Sequence, residues 1–598
     1  MDRRTTIALV LCMLVFALFT AMQTKYMPKP VPRPTTAVAD SGATPVAAPP
    51  VAGLPSTTTT GIAPAAPESA VPAVPAVETR RVTLETDLYR ATFNSLGARL
   101  ESFELKHYSA AWGTSRFGRN PHGRPGPGKE VPAGDRVELR GAPLFAFDLG
   151  SDAARRSLAT TPFAIEESLG TDGRIAALTF VAADSAGGTI RQTWRPRVGT
   201  YLLDLDISVN GASLATNEWS LVTRSWPLLT EVDPEQDARM VRGVSLVGKD
   251  VHRDGAQGLI NKNPKVREGV VVWGGVQSHY FLGVLTPNGT EGRRFTTSGE
   301  GYVPSADERK LLPPAGKPER HPIAIGTLVM GTPANGSQRF AAYFGPADYF
   351  GMAEAGGAGR KGSLQIDKAV DMGFSWLLPF SYPLLQLLRL LESWVRNYGL
   401  AIFLLATVVR LLLHPLNMSS MRSMKAMTKL QPEIERLREK YKNDAATMNT
   451  AVMALYKENK VNPAGGCLPM LLQMPLFFAL YAVLSNSIQL RQAPFVGWIH
   501  DLAAPDLWFE VAGFPIRLLP IIMAASGFLQ QRLTPTPAQQ QSMMYMMNFV
   551  MLFIFYNLPS GLVFYWTLMN LYTVLQQWMV NRGSDSGVVV RAGAVRAK

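Results

Sequence analysis

Five long apolar runs crowd the last third of the chain, at about residues 398–416, 466–490, 515–533, 543–558 and 560–580. Crossing about 30 Å of hydrocarbon takes about 20 residues of helix, so each run predicts a membrane span, the fourth a short one. A further run, from Ile7 to Met22, follows Arg3 and Arg4. A cleavable signal wants small residues in an A-x-A pattern, and Phe19-Thr20-Ala21 offers a phenylalanine instead. The run therefore predicts an uncleaved anchor over residues 1–24, making six spans in all. FSYPLLQLLRLLESWVRN (380–397) is helical too, with Gln386, Arg389, Ser393 and Arg396 recurring among leucines. So charged a helix spans poorly but suits the membrane surface, with its leucines in lipid; packing on protein is the alternative.

Ahead of these runs the period changes. In TYLLDLDISVN, Tyr201, Leu203, Leu205, Ile207 and Val209 face one way while Asp204, Asp206 and Ser208 face the other. That alternation is the mark of a half-buried strand. RVTLETDLYRATFN, IAALTFVAAD, GTIRQTWRP and GVVVWGG behave alike between Gly, Pro and Asn turns, so residues 81–350 predict a large antiparallel sandwich. Residues 25–80, with segments such as APAAPESAVPAVPAV, cannot bury a core and predict an extended tether. A connector over 351–379, flexible at AGGAGRKGS (355–363), leads to the surface helix at 380–397 and the five-span core at 398–580. The fold class expected is a multi-domain membrane protein: a polytopic α-helical core plus an all-β outer domain.

Charge orients this arrangement. The chain carries 59 Lys+Arg against 46 Asp+Glu, a net +13. Such a balance suits nucleic acid or the cytoplasmic loops of a membrane protein, where Lys and Arg collect. The loop after the first core span holds Arg422, Lys425, Lys429, Arg436, Arg438, Lys440, Lys442, Lys457 and Lys460, which places it in the cytoplasm. Six spans then put both termini inside, including a basic tail at 581–598, and the β domain outside. Nucleic-acid specificity is not called for. The two cysteines, Cys12 and Cys467, lie in apolar runs, so no disulfide framework holds the β domain.

Catalytic motifs fail one by one. GVSLVGKD (243–250) matches a phosphate loop until Asp250 replaces the magnesium-holding hydroxyl. The seven histidines form no metal-ligand spacing, and no G-x-S-x-G occurs. No enzyme, cofactor or metal is expected.

What remains is Arg410, set into AIFLLATVVRLLLHPL (401–416). A central arginine costs about 2.5–3.5 kcal/mol on insertion scales. None of the five core runs contains an acid to pair with it. Thr407, Arg410, His414 and Asn417 form a polar stripe, and Arg410 lies about 18 Å along the helix from Tyr398 at about 1.5 Å per residue. Gln473, Ser526, Gln530 and Asn548 add polar groups in the next three runs; Trp566, Asn570, Thr573 and Gln577 share one face of the last. Hydrogen-bond glue, at about 0.6 kcal/mol per bond, accounts for single amides but not for a guanidinium. A hydrated recess open to the cytoplasm accounts for both, and would give polar segments of another chain a stopping place part-way across the lipid.

The cytoplasmic loop predicts two helices joined near Asn443, with Leu430, Ile434, Leu437 and Tyr441 facing Met448, Val452 and Leu455. Met418, Met421, Met424 and Met427 form a second stripe, which suits capture of varied apolar partners or, equally, core filling. Met543, Met544, Met546, Met547 and Met551 repeat the theme.

At NPAGGCLPMLLQMPLFFALY (462–481), QAPFVGWIHDL (492–502) and PSGLVFYW (559–566) the chain closely resembles the YidC-type membrane protein insertases, most strongly over 376–580. The anchor, tether and β domain look like the Gram-negative form, whose periplasmic domain is a sugar-mutarotase-like super-sandwich without assigned catalysis. The resemblance implies insertion, folding and assembly of nascent membrane proteins in the bacterial inner membrane, alone or beside the Sec translocon. Arg410 matches the family's groove arginine, Met474 and Pro475 match positions that meet substrate, and the hairpin at 418–461 matches the recruiting element. The basic hairpin and tail would offer a ribosome its contact. The family's hydroxyl one turn before the arginine falls on Ala406 here, with Thr407 beside it. A groove of Thr407, Arg410, Gln473, Met474, Pro475, Trp566 and Asn570 is expected.

Two other classes compete. A secondary transporter needs internal repeats and ionisable relays, whereas five core spans do not halve and hold no acids. A carbohydrate-binding envelope protein would explain the outer domain and leave the core unexplained.

Overall fold

The computed structural model describes residues 79–110, 130–226, 231, 234–305, 320–360, 362–459, 461, 464–511, 514–534 and 538–582. The anchor, nearly all of the tether and most of the basic tail lie outside them.

The first part is all antiparallel sheet. Its strands are β1 Arg81–Glu85, β2 Tyr89–Asn94, β3 Arg99–Ser109, β4 Arg136–Leu149, β5 Arg156–Ser157, β6 Ala164–Leu169, β7 Ile175–Ala183, β8 Thr189–Pro196 and β9 Leu202–Asn210. They continue as β10 Glu218–Arg224, β11 Arg242–Val247, β12 Asp250–Gly255, β13 Lys265–Gln277, β14 Phe281–Asn288, β15 Gly292–Tyr302, β16 His321–Gly331 and β17 Ser337–Pro346. Pairing runs unbroken through β1-β2-β3-β4-β10-β16-β15-β13-β14-β17-β9-β8-β7-β6. The ladder curls until its ends meet. Phe93 on β2 lies 5.2 Å from Trp194 on β8 and 5.8 Å from Phe180 on β7, and Phe103 on β3 lies 5.7 Å from Phe344 on β17. All five rings are buried, and this aromatic burial is the main driving force for the domain.

Alternation holds where it was predicted. On β9, Leu203, Leu205 and Ile207 are fully buried while Asp204 and Asp206 face Arg197, Arg195 and Arg339. Leu202 is buried as well. GVSLVGKD turns out to be the β11–β12 hairpin: Val247 pairs with Asp250, and Gly248 supplies the positive φ of 62° that the turn requires. Among the described residues no α-helix follows the turn to receive a phosphate; β12 does.

Helices α1 Pro234–Met240 and α2 Tyr349–Ala355 belong to the β part; α2 is capped by Asp348, whose carboxylate accepts from the Phe350 amide. The segment after α2 is packed rather than trailing. Ile366, Ala369, Val370 and Met372 are buried, the Trp273 indole donates to the Gln365 carbonyl at 3.0 Å, and Arg253 donates to three successive carbonyls from Lys368 to Val370.

Among the described residues nine helices then stand on or near the predicted apolar and amphipathic runs: α3 Leu378–Val395, α4 Tyr398–Leu412, α5 His414–Lys429, α6 Gln431–Lys440, α7 Ala445–Glu458, α8 Ala464–Asn486, α9 Leu518–Leu533, α10 Ala538–Phe555 and α11 Ser560–Arg582. In α3, Leu384, Leu385, Leu388 and Leu391 are buried against α4 and α8, while Phe380, Leu390 and Trp394 are exposed. The surface helix thus packs its leucines on protein and turns a different apolar edge outward.

Two prolines divide what the pattern runs together. Pro415 opens α5, and α4 and α5 meet at Leu413 with a bend of 62°. Pro432 opens α6, so the basic segment between the first two apolar runs is three helices where two were expected. Proline is favoured in the first turn of a helix, because it has no N–H and its ring crowds the preceding turn, although Pro383 and Pro475 are carried inside α3 and α8. Leu430 and Ile434 are buried, with α6 against α7 as the hairpin reading requires. Among the described residues no single helix is long and apolar enough to cross a membrane; α4 with α5 qualifies only as a bent pair, and Met543–Phe555 is a shorter apolar helix.

The connection after α8 docks on the β domain. His279 Nε2 and the Tyr280 hydroxyl both reach the Ser485 carbonyl, at 3.1 and 3.3 Å. Gln492 donates to the Ser109 carbonyl at 3.0 Å and accepts from the Ser109 hydroxyl at 2.6 Å. At the centre, Arg491 Nε lies 3.0 Å from both carboxylate oxygens of Glu231, with 3% and 11% of the two side chains exposed. The guanidinium also lies 5.2 Å from the Phe281 ring centroid. Beside it, Glu231, His279, Tyr280 and Asp501 line a small cavity.

Candidate substrate groove

Arg410 lies in the last turn of α4, immediately before the bend. That position answers part of the charge problem. The unsatisfied carbonyls at a helix carboxyl end carry about half a negative charge, which favours a cation by about 0.3–1 kcal/mol, more when partly buried. The side chain is buried, with 7% exposed. Its Nη2 donates to Thr573 Oγ1 at 3.0 Å and to Gln576 Oε1, both on α11. Gln576 Nε2 in turn bonds His414 Nδ1 at 2.8 Å, so one amide joins α11 to both sides of the bend. Arg410 Nε is buried without a partner among the described residues. No acid contacts the guanidinium among the described residues; its partners are neutral dipoles.

Thr407 sits one turn earlier. Its hydroxyl donates to the Phe403 carbonyl at 2.8 Å and meets the Tyr572 hydroxyl at 2.5 Å. The rest of the expected set divides. Asn570 donates to Ser526 Oγ and to the Met523 carbonyl, at 3.1 and 3.3 Å, tying α11 to α9. Asn548 similarly ties α10 to the Ala524 carbonyl at 3.1 Å. These amides act as interhelical glue. Trp566 packs between Phe477 of α8 and Phe555 of α10, at 5.0 and 5.3 Å. Gln473 and Pro475 are half-buried on α8 and Met474 is exposed, with no hydrogen bond from Gln473 to Arg410 among the described residues. Met418, Met421, Met424 and Met427 are all half-buried on α5, which leans on α8 and α11.

The sequence reading missed Gln576 and chose its neighbour Gln577. The face running Met569, Thr573 and Gln576 is the one that meets Arg410, and a spacing of three from Thr573 was the available signal.

A family model described as 60Kd inner membrane protein matches residues 390–586. A membrane protein insertase YidC from Syntrophus aciditrophicus is 33% identical over 595 residues, covering 97% of this chain and all of that protein. The chain belongs to the YidC family of membrane protein insertases. A YidC insertase from Geotalea daltonii is 30% identical over 591 residues, covering 97% of this chain and 99% of its own. A solved structure of an active YidC insertase with its first transmembrane domain resolved aligns over 83% of this chain and 91% of that one, with 18% identity and a TM-score of 0.34. YidC membership makes this an inner-membrane insertase and not an enzyme.

Proposed function

We propose that this insertase receives nascent membrane proteins in a groove around Arg410, with the methionine face of α5 as their first contact. In this reading five spans form the core and the anchor makes a sixth. Both termini are cytoplasmic, and the β domain is a periplasmic super-sandwich. The chain works alone or beside the Sec translocon, and the ribosome meets the basic hairpin and tail. The observation that carries the reading is a guanidinium that, among the described residues, is held by neutral dipoles and has its Nε without a partner. A cation so placed attracts acidic or polar client segments, and solvent reaching it would complete its shell.

The arginine is worth little to stability on balance, a net of about 1–2 kcal/mol, which makes its methionine variant testable. Removing it loses two hydrogen bonds from a charged donor, each about 1.5–3 kcal/mol, and relieves about 2.5–3.5 kcal/mol of burial cost. Arg410→Met and Arg410→Glu are therefore expected to stay folded in the membrane. Arg410→Glu is expected to cut insertion of a client with an acidic outer segment by about tenfold or more, the ratio that about 1.4 kcal/mol produces. A client with a neutral outer segment is expected to be spared. Proteoliposomes with both clients give the answer, and equal insertion of the two by Arg410→Glu refutes the groove.

A further inference from the structure

Between α8 and α9 lies a two-stranded hairpin, β18 Phe509–Val511 and β19 Phe514–Ile516. Phe509 pairs with Ile516 and Val511 with Phe514, so four apolar side chains share one face, while Glu510 and Pro515 share the other. That apolar face is uncovered: Phe509, Val511 and Phe514 are 43%, 54% and 59% exposed. Trp508, 49% exposed, extends it and lies edge-on to Phe509 at 4.8 Å. An isolated two-stranded hairpin is marginal in water, and an exposed apolar patch marks an interaction surface.

The hairpin is held in place through its second strand. Tyr556, just past α10, donates its hydroxyl to the Pro515 carbonyl at 2.6 Å and stacks on Phe514 at 5.9 Å. Arg517 donates to the Tyr556 carbonyl at 2.6 Å and to Asn557. These contacts tie it to the end of α10, whose Phe553 is 64% exposed, and α9 follows it directly with Ile521 and Ile522, 45% and 38% exposed. The exposed face is thus fixed to the ends of two helices that themselves expose apolar side chains, in a chain of an inner-membrane family. It carries no charge. It also lies on the β-domain side, because the connection containing it starts where Ser485 meets His279 and Tyr280.

We infer that this hairpin dips its Phe509–Val511–Phe514 face into the headgroup–acyl boundary of the leaflet on the β-domain side, with Trp508 at the polar level. Tryptophan prefers that depth, where its ring is apolar on the faces and its N–H meets water. The hairpin is thus a lipid anchor that fixes the α8–α9 connection against the bilayer. The inference rests on the reading of α9 and α10 as membrane spans.

Spin labels on full-length protein test both. In a Cys12→Ser/Cys467→Ser background, single labels are placed at Phe514→Cys, Val511→Cys, Phe553→Cys and Val198→Cys, the last 97% exposed on the β domain. After reconstitution into phosphatidylethanolamine–phosphatidylglycerol vesicles, collision with oxygen is compared with collision with a water-soluble nickel chelate. Labels at 511 and 514 are expected to favour oxygen several-fold relative to the label at 198, at a depth shallower than 553. A lipid-exposed 553 with 511 and 514 as water-accessible as 198 overturns the anchor alone. Labels at 511 and 514 shielded from both quenchers also overturn it, in favour of a protein partner. A water-accessible 553 overturns the span reading and the anchor with it.

Discussion

Replacing Arg491 with methionine is expected to undock the β domain from the α8–α9 connection. Arg491 shares its Nε–H between both carboxylate oxygens of Glu231, with 3% and 11% of the side chains exposed, and truncating one partner leaves the other charge buried. Breaking such a pair costs about 3–5 kcal/mol. Loss of the guanidinium over Phe281 adds to this, at up to about 2 kcal/mol when desolvated. Methionine returns some packing, so about 3 kcal/mol is the expected net loss, a ratio of more than a hundredfold. Glu231→Gln with Arg491→Met removes both charges and is expected to recover most of it, since a neutral pair of similar volume carries no desolvation penalty. Hydrogen exchange of the full protein in nanodiscs reads this directly at the Leu502 amide, which is bonded to the Ala493 carbonyl at 3.1 Å inside the docked loop. Exchange there is expected to speed up about a hundredfold in Arg491→Met and to slow again in the double variant. Unchanged exchange in the single variant, or a double variant as open as the single, refutes the assignment of docking to this pair.

The same interface predicts a masked acid response. Burial lowers His279 from 6.5 to about 4, so its stabilising contribution is complete above 6.5 and is lost as pH falls toward 4. Asp501 runs the other way. Although the residue is only half-buried, its carboxyl is enclosed and, with Glu231 nearby, is raised from 3.8 to about 6, so stability is lost as pH rises from 3.8 to 6. With Arg491 and Arg242 also facing the pair, the two terms oppose each other between about pH 4 and 6. Asp501→Asn keeps the acceptor for the Gln492 and Ala503 amides and is expected to unmask an acid loss of about 2–3 kcal/mol, seen as a falling thermal midpoint from pH 6.5 to 4. An identical pH slope in both proteins counts against it. Gly399→Ala would place a Cβ 1.9 Å from the Phe495 ring, so the ring or α4 must shift, costing about 1–3 kcal/mol and lowering the thermal midpoint by several degrees. An unchanged midpoint would show that Phe495 is free to move.

Much of the architecture was legible because burial writes a period into the chain. The alternation at 201–209 gave β9 its faces, and the five apolar runs fall on α4, α8, α9, α10 and α11. Breaks were harder. The runs at 398–416 and 418–442 look continuous because the apolar pattern does not pause at Pro415 or Pro432, although each proline opens a new helix. Partners were harder still. A periodic stripe fixes which residues of α11 share a face but not which helix that face meets, so Asn570 was assigned to the arginine and serves α9, while Gln576 was passed over. The hairpin at 509–516 was hidden because its second strand was absorbed into the apolar run beginning near 515.

Gln576 grips Arg410 on one side of the 62° corner at Leu413 and His414 on the other. It works as a latch across a joint. Should α5 swing on Leu413 when a client engages its methionines, His414 slips the latch first and the freed amide can rotate. The cation would then change its hold on α11 without α4 having moved, because one amide side chain is the joint partner of Arg410 and His414.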